Sequence, residues 1–190
     1  MTNSIDIINH TKNWINHFII KHNICPFAKR EFDKNKEGNK KGDIHYEVVT
    51  SDKIENQLQE LIYSCEQLDK EDGIETSLLI IPNGLSDFDD YLDFLDLAIE
   101  LMHKQGYEGT YQLASFHPNY CFEGVDTDDA SNFTNRSPYP MLHLIREISL
   151  EKVLANYPKP ENIPTRNIKY TQDLGVQFLE TSLNNCKKNL

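Results

Sequence analysis

Mostly apolar positions near the start of the chain return every three or four residues from Ile7, through Ile8, Thr11, Trp14, Ile15, Phe18 and His22. That spacing puts them on one stripe of an amphipathic helix, begun near Ser4 or Asp6 and ended at Cys25-Pro26. The run "DKNKEGNKKGD" that follows has no period and contains glycine and many charges, which predicts a mobile surface loop over residues 34–43. Two strand-and-helix units come next. "IHYEVV" (44–49) has strand character and leads into a helical stripe of Ile54, Leu58, Leu61, Ile62, Cys65 and Leu68. "TSLLIIP" (76–82) is almost wholly apolar, as expected of a strand covered on both faces, and leads into Phe88, Tyr91, Leu92, Leu95, Ile99 and Met102, with Ser86 as cap and Gly106 as stop. A third strand, "TYQLASF" (110–116), runs into His117-Pro118.

Strands that alternate with helices need crossover connections, so the fold class is α/β. The pattern predicts a single domain over residues 1–190, with a small, mainly parallel sheet of three or four strands, helices packed on it and a helical C-terminal third. In that third a long loop, residues 117–140, precedes a helix capped by Ser137, opened by Pro138 and running to about Tyr157. A proline-rich link then leads to a last helix over residues 165–186. At about 100° per residue, Met141, Leu144, Ile145 and Ile148 would share the core face of the first of these helices. His143, Arg146 and Glu147 would lie opposite, with His143 and Glu147 one turn apart.

Charge narrows the partners. A net charge of −11 argues against nucleic acid, whose phosphates attract clustered Lys and Arg. No stretch reaches the roughly 20 apolar residues that a membrane helix needs. The first residues lack the basic start, apolar centre and cleavage site of a secretory signal, so a cytoplasmic location is expected. Cys25, Cys65, Cys121 and Cys186 then read as thiols. The acidic row from Asp87 to Glu100 reads as a solvated helix face.

Candidate chemistry gathers late in the chain. Parallel α/β sheets bind ligands beyond the carboxyl ends of their strands, which here carry Thr50-Ser51, Asn83-Gly84 and His117-Pro118. The loop after His117 holds Tyr120, Phe122, Phe133 and Tyr139, too much aromatic surface for a disordered segment. Its Asp126, Asp128 and Asp129 suit either a cation or the capping of nearby backbone. Asn135 and Arg136 stand just ahead of the expected helix start, where free N–H groups favour an anion and a guanidinium adds a forked contact. Cys25 ahead of Pro26 is a nucleophile if it caps a second helix, and an inert packed thiol if it ends the first.

The segments "NICPFA", "ETSLLIIP", "DFDDYLDFLDLA", "QLASFHPNYCFEG" and "NFTNRSPYPMLHLIREISLEKVL" together resemble an uncharacterised bacterial family, the domain of unknown function 1415. The resemblance spans nearly the whole chain and brings no established activity. It falls on Trp14, Cys25, Pro26, Phe27, His117, Pro118, Tyr120, Asn132, Asn135, Arg136, Pro138, Tyr139, Pro140, His143, Arg146, Glu147 and Asn167, and leaves out the lysine-rich insert.

Three functions fit these residues. The first is an enzyme acting on a small anionic metabolite, with His117 or His143 as acid or base, Glu147 orienting the imidazole and Cys25 as nucleophile. Asn132, Asn135, Arg136, Arg146, Tyr120 and Tyr139 would hold the substrate. The second is a non-catalytic ligand-binding or assembly module whose polar cluster is a buried network. The third is a metal-dependent hydrolase with His117, His143 and Glu147 on one ion. The sequence does not choose among them, names no cofactor and fixes no oligomeric state.

Overall fold

The computed structural model describes residues 2–25, 28 and 43–188. Helix α1 (Ser4–Trp14) is capped by the Asn3 side chain and continues as a π-helical segment over Ile15–Ile20. The charged loop of residues 34–43 and the Pro26-Phe27 pair lie outside the described residues, apart from Asp43, which opens β1 (Asp43–Val48). Then come α2 (Ile54–Lys70), β2 (Ile74–Ile80), α3 (Phe88–Lys104) and β3 (Tyr111–Phe116), each near its expected place.

The next element is not the expected helix. Met141–Arg146 is a strand, β4, and only Glu147–Leu154 forms the short helix α4. The sheet order is β1-β2-β4-β3. β1 and β2 are parallel, whereas β4 lies antiparallel between β2 and β3. So β1, β2 and β3 do share one direction, but β2 and β3 are not neighbours. The expected, mainly parallel sheet of three or four strands has four and is corrected to a mixed one.

The physical reason is burial on two sides. Leu142 and Leu144 face the core built by Leu61, Cys65, Leu68, Phe94 and Ala98, while Met141 faces the core built by Ile7, Trp14, Phe18 and Leu179. A strand apolar on both faces has no period of two, and a short unbroken apolar run reads equally well as helix. The expected C-terminal helix is also two, α5 (Ile163–Leu174) and α6 (Val176–Asn185), broken at Gly175 with φ of 78°. That positive φ is open to glycine at little cost.

The crossovers α2 and α3 cover one face of the sheet, and α1, its π-helical continuation and α6 cover the other. Among the described residues no helix is long and apolar enough to cross a membrane. One buried hydroxyl locks α3 to the sheet. Tyr91 Oη donates to the Met141 carbonyl at 2.8 Å and accepts from the Phe116 N–H at 3.1 Å, where β3 and β4 meet. Burial raises this phenol, so it stays a donor at every working pH. Replacing Tyr91 by Phe strands both backbone groups, and the urea-unfolding free energy is expected to fall by about 1–3 kcal/mol. An unchanged midpoint would contradict this role for the hydroxyl.

Candidate functional site

Phe116 pairs with Met141, so β3 and β4 form a hairpin whose connection is the whole of residues 117–140. A loop of that length holds one shape only if its backbone groups find partners inside it. Asn132 supplies several. It is fully buried, its carbonyl oxygen accepts from Phe122 N–H at 3.0 Å, and its amide donates to Asp126 O at 2.9 Å and Thr127 O at 3.3 Å. It sits on a 3-10 turn, Ala130–Thr134, that Asp129 caps by accepting from Ser131 N–H at 2.7 Å. Capping is thus the role of Asp129 here.

Arg136 adds the clamp. Its Nε donates to Tyr120 O at 3.2 Å and one Nη to Thr127 O at 2.7 Å, with the guanidinium carbon 4.5 Å from the Phe133 ring centre. Burial lowers its pKa from the ordinary arginine value. The Arg136 carbonyl in turn accepts from the Trp14 indole at 3.1 Å, which ties the loop to α1. Asn135 donates its amide to Ser115 O at 3.1 Å, and its backbone carbonyl accepts from His117 N–H at 3.2 Å. No helix starts after these two residues, because the chain passes through Pro138 and Pro140 into β4. The expected anion grip at a helix start is therefore corrected.

His117 closes the network from the other side. The Asn119 N–H donates to its Nδ1 at 3.0 Å, so Nδ1 carries the lone pair and Nε2–H is left to donate to Leu85 O at 3.0 Å. The ring lies between Phe88 at 5.2 Å and Tyr91 at 5.0 Å, and its burial lowers the pKa. Tyr120 packs at a tilt against the same Phe88 at 5.3 Å.

The sequence profile of a family described as "Protein of unknown function (DUF1415)" matches residues 6–181. The chain belongs to this family. No curated protein and no solved structure matches it.

The remaining candidates of this DUF1415 chain lie elsewhere. His143 is on β4, on the sheet face it shares with Met141 and so with Trp14, whereas His117 packs on Tyr91 across the sheet. Its Nε2–H donates to the Thr76 hydroxyl, which donates onward to Leu144 O. Glu147 opens α4 beyond the far end of β4, so it and His143 are not one helical turn apart. Neither His117, His143 and Glu147 nor any other group of three His, Cys, Asp or Glu among the described residues is placed to hold a metal ion. The triad expected for a metal-dependent hydrolase is corrected on that geometry.

Arg146 is also at the far end of the sheet. It donates to Ile74 O at 3.2 Å, to Leu68 O and to Tyr111 Oη at 3.3 Å, sealing the end of α2 to the start of β2. Asp69 accepts from Tyr111 at 2.6 Å and from Tyr107 at 3.2 Å beside it. Tyr139 Oη meets His10 Nδ1 at 2.8 Å, and Lys187 Nζ lies 4.9 Å from the Tyr139 ring centre. Cys25 is half-buried at the margin of the Trp14 core.

Side-chain amides bridge the strand ends that were expected to frame a ligand crevice, and the buried Gln57 Oε1 among them has no hydrogen-bond partner. The Gln57 amide donates to Ser51 O at 3.0 Å and Asn83 O at 3.2 Å, while Asn83 donates to Thr50 O at 2.8 Å. Sequence reasoning missed Gln57 and Tyr91, which look like ordinary helix residues until their partners are known. Asn167 was marked only by the resemblance, and it binds Ile24 O at 2.7 Å.

Desolvation lowers the His143 pKa to about 4. The unfolded imidazole titrates near 6.5, so between about pH 6.5 and 4 the unfolded chain binds a proton that the folded one refuses. Stability is therefore lost as pH falls through that window and is unaffected by this group above it. His143→Gln is expected to flatten that part of a pH profile of urea midpoints, and a profile as steep as that of the wild type would refute the assignment.

Proposed function

We propose that the chain is a non-catalytic, single-domain binding and assembly module, in which residues 117–140 are a rigid structural loop rather than the rim of a reaction site. The observation that carries this reading is the engagement of the polar groups. Both His117 nitrogens, the Asn132 amide and the Arg136 fork are bonded to backbone of the chain itself.

A general base must reach the proton it removes, and an anion grip needs donors left over for the anion. His117 meets neither demand, and Arg136 commits two of its five N–H donors to loop carbonyls at 3.2 and 2.7 Å. His143 and His117 stand on opposite sides of the sheet, which leaves acid and base without a shared substrate. A buried polar network satisfied in this way specifies one conformation, and that is its use here.

Arg136→Lys keeps the charge and removes the fork. On this reading it lowers stability by about 2 kcal/mol, or about 4–8 °C in a melting curve. Inorganic phosphate then protects neither protein. Melting raised by millimolar phosphate in the wild type, and lost in an Arg136→Lys variant of unchanged basal stability, would instead restore the anion-grip enzyme.

A further inference from the structure

The outer surface of the two crossover helices has a different character from the loop. Leu58, Ile62 and Tyr63 of α2 and Leu101 of α3 line a groove of about 520 Å³, rimmed by Glu55, Glu60 and Glu66. Tyr63 is 50% exposed, and Leu97, one turn before Leu101, is 45% exposed. Ile54, Leu92 and Ile99 of the same two helices are exposed as well but do not line the groove. Helices that merely cover a sheet present polar residues outward. Here apolar surface lies between acidic rails.

The rails are only partly neutralised from within. Lys70 pairs with Glu66 at 3.1 Å and Lys104 pairs with Glu100, both on the solvent side. Among the described residues Glu55 and Glu60 have no ion pair, and Asp93 follows the same line one turn before Leu97.

We propose that this groove docks a basic amphipathic helix of a partner protein. The proposal rests on the binding-module reading and names the partner class. Complementary charge selects the occupant. A second copy related by a two-fold axis would set Glu55, Glu60 and Glu66 against the same three carboxylates, and like charges facing each other are unfavourable. Lys and Arg flanking an apolar stripe meet both features of the surface at once. From Glu55 to Glu66 the groove runs 11 residues of helix, about 16 Å at 1.5 Å per residue. That matches about three turns of a partner whose apolar anchors recur at i, i+3 or i+4, and i+7.

The test uses the full chain and a fluorescein-labelled helical peptide of about four turns, with leucines on one stripe and lysine and arginine elsewhere. Fluorescence anisotropy is expected to show saturable binding, with a Kd of order 10–100 µM, that weakens as salt is added. Glu55→Lys/Glu60→Lys and, separately, Tyr63→Ser/Leu97→Ser should each weaken it at least about tenfold, or about 1.4 kcal/mol. Glu55, Tyr63 and Leu97 are exposed and Glu60 is half-buried, so melting should stay near that of the wild type. Equal binding of a peptide with glutamate in place of its basic residues, or wild-type affinity in either variant, would overturn the proposal. So would the absence of saturable binding, or a sedimentation dimer that the same variants dissociate. Failure here with Arg136→Lys still destabilised and phosphate still inert leaves the module reading intact, whereas phosphate-dependent melting fails that reading whatever the peptide does.

Discussion

The insertion of β4 between β2 and β3 is the constraint from which the rest of the architecture follows. An antiparallel strand at that place must enter where β3 ends, because Phe116 faces Met141 across the ladder. The connection between them is a hairpin, yet it spans residues 117–140 instead of a few turn residues. Closing a long loop costs entropy that grows slowly with length, but fixing each of its residues costs about 1–2 kcal/mol more. The buried amide of Asn132, the fork of Arg136 and the imidazole of His117 offset that cost by giving the loop an interior of its own.

The same loop couples three layers of the molecule. Trp14 reaches it from α1 through the Arg136 carbonyl, and Phe88 and Tyr91 reach it from α3 through the His117 ring. At the other end of the sheet Arg146 performs a comparable service, drawing the end of α2 and the start of β2 onto β4. The two arginines that bracket β4 in sequence thus secure opposite ends of one strand. Each binds carbonyl oxygens, which need no counter-charge and accept from the planar guanidinium at several angles.

Elements with one buried face were legible in the sequence. The helical spacing of α3 could be read because only one side of it meets the core, but that side is Tyr91, Phe94, Ala98 and Met102, and Leu92 and Ile99 of the expected stripe are exposed. β4 was not legible, since Met141, Leu142 and Leu144 are buried on both sides and leave no period to read. The chemistry divides in the same way. Residue types at His117, Asn132, Asn135 and Arg136 announced an unusual concentration of donors and acceptors, and the structure does gather these four in one loop. What they bind depends on atoms contributed by Leu85, Ser115, Tyr120 and Thr127, distant or unremarkable positions whose backbone carries no sequence signal. His143, Glu147 and Arg146 were grouped by a helical wheel that does not exist, and an extended strand disperses them.

The order of synthesis gives the interior position of β4 a further consequence. Among the described residues it is the last of the four strands and the only one flanked by two that precede it, β2 and β3. Until residue 146 has emerged from the ribosome, both of those strands hold a bare edge toward the gap between them. Such edges recruit any extended chain that passes, a neighbouring nascent copy included. The molecule is complete only when its last strand fills the gap in the middle, so its hazard during birth lies inside the sheet rather than at the margins.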